Sequence, residues 1–390
     1  MGMTVGVVGA GIGGLTAAAA LQGRGIGVVV FERQSDVRDT GAGISLWPNA
    51  LAALDSLGLG AEVRSAGAAL ASGGQRRMDG QAGSMFSRAK FESILGDSLV
   101  CVDRGELVRV LANRLDSGTV RTGCEVAGYD TGVSGVTVRI TSGSQSSVDA
   151  LVGADGVNSA VARKLNGPFR TSYSGYTAWR GIAEMESPDG DQILACLGGG
   201  HEFGWMPVAP GRIYWFATAW VPQGEEPSGG DHFYLRETFG HWPEPIPDLL
   251  AATPPERLVR NDILDRAALE TWTHGPVTLL GDAAHPMRPH LGQGGCQAIE
   301  DAAVLANCLA ASSSPDLAFR TYERRRRRRT SRVARLSRVS GFTRPPGPVT
   351  TALDRLTNSL PPLGIGAALR MIAPVAGYRA GQRATRPTST

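Results

Sequence analysis

Residues 4–32 read TVGVVGAGIGGLTAAAALQGRGIGVVVFE, and this stretch decides the fold. It contains an apolar run, the spacing Gly9-x-Gly11-x-x-Gly14, an alanine-rich segment and a second apolar run. That pattern predicts a strand, a tight turn, a helix and a second, parallel strand. Gly9 permits the turn, Gly11 lets the backbone approach a pyrophosphate, and Gly14 lets the helix pack closely on the strand.

An acidic residue, Glu32, ends the second apolar run. A carboxylate at this place accepts hydrogen bonds from an adenosine ribose, while the helix N-terminus faces the phosphates. The stretch therefore predicts a site for an adenine dinucleotide, with Glu32 and the adjacent Arg33 among the binding residues. The motif alone does not separate NAD from FAD, since both contain adenosine diphosphate.

Composition predicts a soluble protein of one or two domains, because the 390 residues are 42% hydrophobic and 19% charged. The net charge of +3 does not indicate nucleic acid, since only Lys90 and Lys164 are lysines among 39 basic residues. This arginine bias reflects the base composition of the coding sequence. The arginine run at 324–329 is interpreted as a solvated helix face.

Several functional classes are disfavoured by what the sequence lacks. The five cysteines are odd in number and form no CxxC pair, which argues against disulfides and zinc and favours a reducing cytoplasm. No apolar run reaches the roughly 18 residues of a membrane span. There is no HExxH, GxSxG or GxxxxGK[ST] sequence, so metallohydrolase, serine hydrolase and phosphate-loop NTPase functions are disfavoured. No metal site is expected.

Two later segments repeat the pattern of a strand that ends in an acidic residue. Residues 151–163 read LVGADGVNSAVAR, with Asp155 and Gly156 after the apolar run, and residues 276–282 read PVTLLGD. The second continues as GDAAHPMRPHLGQGGCQAIEDAA over residues 281–303, where two prolines stiffen a loop before a helix. Three such strand ends indicate several edges of one extended ligand.

These three segments, in this order, resemble the single-component FAD-dependent aromatic hydroxylases, flavoprotein monooxygenases with the p-hydroxybenzoate hydroxylase fold. Salicylate and 3-hydroxybenzoate hydroxylases and zeaxanthin epoxidase are similar members. The segments GAGISLWPNALAALDSLGL, DRGELVRVLANRL and YSGYTAWRGI extend the resemblance over about residues 3–340. It implies an α/β (α+β) fold in which a Rossmann-like FAD-binding domain with a parallel sheet is interrupted by a β-rich substrate domain.

The resemblance also implies how the chain is divided. Residues 1–72, 96–168 and 273–340 are expected to form the discontinuous FAD-binding domain. The substrate-binding sheet is expected from residues 73–95 and 169–272. Residues 341–390, which the resemblance does not reach, are expected to form short helices and a loose tail.

The implied chemistry is oxygen insertion with noncovalent FAD, NADH or NADPH as a transient electron donor, and O2. NAD(P)H reduces the flavin, O2 adds at flavin C4a, and the resulting hydroperoxide delivers oxygen to an electron-rich ring or alkene. An epoxidase acting on an alkene or polyene is one alternative, and a catalytically silent FAD-binding protein is another. A monomer or a homodimer is expected.

By the same resemblance, Asp282 holds a ribityl hydroxyl and the loop after it passes the isoalloxazine ring. The helix that begins near Gly294 then directs its positive end at the ring, where reduction places negative charge. Glu300 and Asp301 in this helix are interpreted as partners of the helix dipole. The implied cofactor-binding residues are Gly9, Gly11, Gly14, Glu32, Arg33, Arg104, Asp155, Gly156, Asp282, Pro289, Gly292, Gln293 and Gly294.

Substrate contacts are expected from the aromatic-rich middle of the chain, where HEFGWMPV and RIYWFATAW predict two strands joined by a turn. Alternation places His201, Phe203 and Trp205 on one face of the first strand, and Tyr214 and Phe216 on one face of the second. These aromatic residues either form a sheet core or cover a flat substrate.

Three residues are candidates for catalysis: His290, Arg180 and Tyr214. Histidine exchanges protons near neutral pH, and an arginine can meet an anionic substrate or the flavin edge. The first strand, HEFGWMP, has no arginine of the kind that binds carboxylates in relatives acting on small acids. The expected partner is therefore a neutral, apolar aromatic or polycyclic small molecule.

Overall fold

A computed structural model describes residues 2–37, 43–70, 72–133, 135–340, 345, 347–350 and 365–379. Most of the C-terminal tail predicted for residues 341–390 lies outside the described residues. The strands, in chain order, are β1 (Thr4–Val8), β2 (Gly27–Phe31), β3 (Gly43–Leu46), β4 (Gly67–Leu70), β5 (Ser72–Arg76), β6 (Ala82–Ser87), β7 (Leu99–Asp103), β8 (Val120–Arg121), β9 (Val126–Gly132), β10 (Gly135–Ile140), β11 (Gln145–Val148), β12 (Ala150–Gly153), β13 (Thr171–Ala183), β14 (Gln192–Gly198), β15 (His201–Ala209), β16 (Arg212–Ala219), β17 (Val259–Arg266), β18 (Thr273–His274) and β19 (Val277–Leu279).

Helices connect these strands and cover their sheets. They are α1 (Ile12–Gln22), α2 (Pro48–Ser56), α3 (Gly60–Ser65), α4 (Arg88–Leu95), α5 (Arg104–Asn113), α6 (Ala160–Asn166), α7 (Gly230–Phe239), α8 (Ile246–Ala251), α9 (Gly294–Ala310), α10 (Pro315–Val339) and α11 (Ile365–Ala376). Short 3-10 turns occur at Pro255–Arg257, Gly281–Ala283 and Pro289–Leu291.

The first sheet has the order β18-β19-β12-β1-β2-β8 and is parallel except for β18, which runs antiparallel to β19. The predicted strand, turn, helix and strand of the N-terminus are confirmed as β1, α1 and β2. Val8 pairs with both Phe31 and Gly153, and Gly153 pairs with Leu279. Because parallel strands end at the same edge, the segments that follow these four strands meet there.

Helices α1 and α9 lie side by side on this sheet. A Cβ atom built on Gly13 would lie 2.8 Å from Leu280 and 3.1 Å from Ala298, so the backbones approach closely at this point. The predicted helix start near Gly294 is confirmed by the bounds of α9. Its N-terminus therefore lies near the edge where β1 and β19 end.

The second sheet has the order β17-β13-β16-β15-β14-β5-β6, and only β14 and β5 pair in parallel. The predicted hairpin of HEFGWMPV and RIYWFATAW is confirmed as β15 and β16. Helices α7 and α8 cover one face, where Leu235, Phe239 and Leu249 pack against Trp179 and Trp215. This leaves the opposite face free to meet the rest of the protein.

Strand β3 connects the two sheets. It pairs with β7 in the small sheet β3-β7-β4, while Gly43 and Ser45 contact the uncovered face of the second sheet. A Cβ built on Gly43 would lie 2.4 Å from the Tyr214 ring, and the Ser45 hydroxyl lies 3.3 Å from the Met206 sulfur. Strands β5 and β6 leave the first part of the chain to join the second sheet.

Candidate active site

The turn after β1 has the form expected for dinucleotide binding. Gly9 has φ 101°, a left-handed conformation that favours glycine. The Glu32 carboxylate accepts hydrogen bonds from the backbone N–H groups of Ala10, at 2.7 Å, and Gln34, at 2.8 Å. The acidic residue at the end of β2 therefore lies directly beside the turn, with the exposed Arg33 next to it.

Two glycines of this turn have opposite surroundings. A Cβ built on Gly14 would lie 2.0 Å from the Gly9 carbonyl oxygen, so this position has no room for a side chain. A Cβ built on Gly11 would meet no atom within 4 Å, and the same holds for Gly156 after β12. Gly14 thus lets α1 pack closely on β1, whereas Gly11 and Gly156 leave open space beyond the ends of β1 and β12. The residues present therefore fit the diphosphate of FAD.

Asp155 lies at the expected strand end, but its carboxylate is used within the protein. It accepts hydrogen bonds from the Ser159 hydroxyl and from the backbone N–H groups of Ala160, at 2.7 Å, and Val161, at 3.3 Å. Burial raises the pKa of this carboxyl, and these hydrogen bonds oppose that effect. Asp155 therefore holds the start of α6, and the backbone at Gly156 is the part that faces open space.

Asp282 has a free carboxylate that faces the cleft. Its side chain is exposed, and no hydrogen bond from the described residues reaches its carboxylate oxygens. Desolvation by the surrounding residues raises the pKa of this carboxyl, while the charges of His285, Arg104 and Arg266 lower it. A Cβ built on Gly294 would still lie 4.0 Å from Asp282 Oδ1, so space remains between them. This arrangement fits a ligand hydroxyl held by Asp282.

Arg266 is a site residue that sequence reasoning missed. It is buried at the end of β17 and donates hydrogen bonds to the carbonyl oxygens of Val157, at 3.1 Å, and Ala283, at 2.8 Å. Its guanidinium also stacks on Phe169 at 4.4 Å. Burial lowers its pKa to about 10. Arg266 of the second sheet thus connects the segment after β12 with the 281–283 turn, and both lie where the cofactor is expected. No motif in the sequence identifies this arginine.

The loop before α9 contains three of the residues expected to bind the cofactor: Pro289, Gly292 and Gln293. Pro289 is exposed, Gly292 has φ 60°, and the buried Gln293 accepts hydrogen bonds from the side-chain amides of Asn49 and Gln297, each at 3.0 Å. No side chain caps α9, and its first turn contains no acidic residue. Its leading N–H groups are therefore available to an electron-rich ligand edge.

The interpretation of Glu300 and Asp301 as simple dipole partners is wrong. Both are fully buried and form ion pairs with Arg326, which is itself 1% exposed. Arg329 also donates to Glu300, and Asp301 Oδ2 accepts from the Gly281 N–H at 3.0 Å. The arginine run is therefore only partly a solvated face, because two of its members turn inward. This ionic cluster fixes α9 against α10 and the 281–283 turn.

The expected substrate role of His201, Phe203 and Trp205 is corrected by the sheet geometry. Phe203 and Trp205 are fully buried on the face covered by α7 and α8, and the His201 ring lies 5.8 Å from Phe239 of α7. Alternation correctly groups these three residues, but on the face that does not meet the cofactor edge. They belong to the core and its margin.

The opposite face holds the other predicted residues. Tyr214 and Phe216 have ring centroids 6.3 Å apart, and Arg180 is opposite Phe216 on β13. Arg180 donates to Asn261 Oδ1 at 2.7 Å, and its charge partly opposes the effect of burial, which raises the pKa of Tyr214. The structure therefore brings Arg180, Tyr214 and Phe216 together beside β3.

His290 connects the cofactor loop to this face. Its Nε2 lies 2.8 Å from the Tyr176 hydroxyl, and the two rings are 5.1 Å apart. Burial, followed by the charge of Arg288, lowers the pKa of His290 to about 4. The expected proton exchange near neutral pH is therefore disfavoured, and the neutral ring serves as a hydrogen-bond partner. Tyr176 was not singled out, although it lies in the quoted segment YSGYTAWRGI.

Within the described part of the chain, no helix is both long and apolar enough to cross a membrane. The same residues contain no cluster of three or more histidine, cysteine or acidic side chains suited to a metal ion.

Comparison with known proteins identifies the family. Residues 2–337 match the FAD binding domain family. The chain is 39% identical to aurachin C monooxygenase/isomerase of Stigmatella aurantiaca over 83% of its length and 85% of that protein. It is 36% identical to the FAD-dependent urate hydroxylase of Klebsiella pneumoniae over 82% and 85%. The crystal structure of Klebsiella pneumoniae HpxO with FAD and uric acid superposes with TM-score 0.88 and 31% identity, covering 95% and 96% of the two chains. The chain therefore belongs to the FAD binding domain family and is a FAD-dependent monooxygenase.

Proposed function

We propose that this enzyme hydroxylates an aromatic or polycyclic small molecule that lies between the second sheet and the 286–294 loop. The observation that carries this proposal is the apolar composition of the uncovered sheet face. Ile182, Met206 and Tyr214 lie on that face and are buried, while Phe216 on the same face is half-buried and borders the space that we assign to the substrate. A flat ring system fits such a surface better than a small, highly charged acid does.

When bound, FAD supplies electron transfer from NAD(P)H and the activation of O2. The task of the chain is to hold that cofactor and to place the substrate beside it. We assign the adenosine end to Gly9, Gly11 and Glu32, and the middle of the cofactor to Asp282. The uncapped N-terminus of α9 stabilises negative charge on the cofactor edge.

The polar residues of the cleft have positioning roles in this proposal. Tyr176 and His290 join the sheet to the loop, and both are neutral at physiological pH, since burial raises the pKa of Tyr176 and lowers that of His290. Arg180 is held by Asn261, and its positive charge acts on Tyr214 on the same face of the sheet. We also propose a cytoplasmic enzyme that is a monomer or a homodimer.

A substrate screen tests the proposal. NADH and NADPH oxidation is measured with phenols, polycyclic aromatics and polyenes, and products are analysed by mass spectrometry. We expect oxidation to rise with an aromatic compound and the product to gain one oxygen atom as a ring hydroxyl. An epoxide formed from a polyene would favour the epoxidase alternative, and no stimulation by any compound would favour a silent FAD-binding protein.

A matched pair of variants tests the assigned face. Phe216→Ala removes a ring from the uncovered face and is expected to raise KM about tenfold with little loss of stability, because Phe216 is only partly buried. Phe203→Ala removes a ring from the helix-covered core and is expected to cost about 3–5 kcal/mol of stability. Equal KM values for Phe216→Ala and the wild type would contradict the assignment.

A further inference from the structure

Glu202 lies on the cleft side of the second sheet. It precedes Phe203 in β15, and since alternate residues of a strand point to opposite faces, Glu202 points away from α7 and α8. In the register it is opposite Thr218, two positions from the pair of Gly204 and Phe216 and therefore on the same face. The Glu202 side chain therefore shares a face with Phe216 and, through β16, with Arg180.

The neighbours of Glu202 on this face of β15 form an apolar strip. Gly204 has no side chain, and the Phe216 ring lies across it, so that a Cβ built there would be 2.4 Å from the ring. Two residues further on, Met206 contacts Ser45 of β3. Glu202 is half-buried at the end of this apolar strip.

The carboxyl of Glu202 receives no hydrogen bond from the described residues, and burial raises its pKa to about 7. An acidic group left in this condition costs stability, because its charged form loses solvation without gaining a partner. Perturbed groups of this kind in a cleft are typical of functional sites. A ligand that donates a hydrogen bond would supply the missing partner.

Glu202 is also within electrostatic reach of Tyr176, the hydrogen-bond partner of His290. Burial raises the pKa of Tyr176, the charge of Arg288 opposes this, and the charge of Glu202 adds to it. The charged groups that act on Tyr176 together with Glu202 are Arg180 of β13, Asp265 of β17 and Arg288 of the cofactor loop, and His290 of that loop contacts the Tyr176 hydroxyl.

We propose that Glu202 sets the substrate class: its carboxylate accepts a hydrogen bond from an O–H or N–H group on an otherwise apolar ring system and excludes ring systems that carry a carboxylate. This inference rests on the proposed function and adds the polar group by which the ring is recognised. A like charge close to a half-buried carboxylate is repelled, whereas a neutral donor is attracted. The donor end of the substrate then lies at Glu202 and the apolar remainder lies along Phe216.

The test uses the FAD-loaded enzyme and two probes with the same rings, 2-naphthol and 6-hydroxy-2-naphthoate. Dissociation constants are measured from the change in flavin absorbance for the wild type, Glu202→Gln and Glu202→Arg. Glu237→Gln is the matched control, because it removes an exposed carboxylate from α7, on the other side of the sheet. We expect the wild type and the control to prefer 2-naphthol by about tenfold or more.

Glu202→Gln should reduce this preference, and Glu202→Arg should reverse it. The affinity of the wild type for 2-naphthol should rise severalfold between pH 6 and pH 8, as the carboxyl loses its proton, while that of Glu202→Gln stays constant. Binding of both probes with the same preference and pH profile in every variant would overturn the inference and leave the proposed function intact. Binding of neither probe by any form would contradict the aromatic substrate class, and the inference with it.

Stability provides a second readout that needs no substrate. The pKa of Glu202 is higher in the folded protein than in the unfolded chain, so stability falls as pH rises from about 4.5 to about 7 and is constant above. Glu202→Gln should therefore have a higher denaturation midpoint than the wild type at pH 8 and an equal one at pH 4.5. If the denaturation midpoints of Glu202→Gln and the wild type differed by the same amount at both pH values, the carboxyl would not titrate in the cleft.

Discussion

Replacing Gly11 and Gly14 separately by alanine tests the cofactor turn, because the same added methyl group meets opposite surroundings. At Gly14 the methyl carbon would lie 2.0 Å from the Gly9 carbonyl oxygen. Relief of that contact requires helix α1 to move away from β1 by more than 1 Å, since ordinary carbon–oxygen contacts are roughly 3.3 Å. Overpacking of this kind costs about 1–3 kcal/mol or more, so we expect Gly14→Ala to lose about 3 kcal/mol of stability.

At Gly11 the added methyl group meets no protein atom within 4 Å. Gly11 is the N-cap of α1 in an extended conformation that alanine also adopts, so the loss of stability should be about 0.5–1 kcal/mol. The methyl group nevertheless projects towards the proposed diphosphate position. Losing one hydrogen bond to a charged group costs about 1.5–3 kcal/mol, so FAD affinity should fall about 10- to 150-fold.

The assay has two measurements on each variant. Urea unfolding of FAD-free protein gives the stability, and titration with FAD, followed by quenching of flavin fluorescence, gives the affinity. Gly11→Ala should change mainly the second quantity and Gly14→Ala mainly the first. Unchanged FAD affinity in Gly11→Ala would refute the placement of the diphosphate above this turn, and wild-type stability in Gly14→Ala would refute the close contact of helix and strand.

Two further predictions concern acidic residues. Glu32→Ala should weaken FAD binding by about 10- to 150-fold, with activity restored by excess FAD, because it removes a charged hydrogen-bond acceptor from the ribose position; an unchanged titration would contradict the ribose assignment. Burial alone would raise the pKa of Asp301, but the charges of His285 and Arg326 and their hydrogen bonds lower it to about 2. The ionised carboxylate therefore contributes about 2 kcal/mol to the free energy of unfolding above pH 4, and this contribution is lost as pH falls towards 2. Asp301→Asn should lower the free energy of unfolding at pH 7 by about 3–5 kcal/mol. It should also reduce the loss of stability between pH 4 and pH 2, and a loss as large as that of the wild type would exclude this carboxyl as its source.

The sequence was sufficient for features that depend on local spacing. The stretch from Thr4 to Glu32 specified β1, α1 and β2, and the apolar runs before Asp155 and Asp282 specified β12 and β19. Alternation grouped Phe203 with Trp205 and Tyr214 with Phe216, as the structure has them. It did not reveal which group faces the cofactor, because α7 and α8, which cover one side, are distant in sequence.

Features that depend on distant partners were not predictable. Glu300 and Asp301 lie early in α9, where acidic residues commonly offset the helix dipole. Their buried partner, Arg326, is one of six consecutive arginines, and nothing in that run shows which member turns inward. Arg266 has no motif at all. Glu202 did have a signal, because it alternates with the buried aromatic residues of its own strand.

The interleaving of the two sheets has a consequence for how the protein is made. Strands β5 and β6 leave the ribosome before β12 but belong to the second sheet, while β19 returns to the first sheet only after β17. Until β19 has been translated, the fully buried strand β12 remains an unprotected edge, and such edges pair readily with other chains. Neither sheet can be completed before most of the polypeptide exists. Expression of the two domains as separate polypeptides should therefore fail unless strands are moved between them, and the nascent chain should depend on chaperones until late in translation.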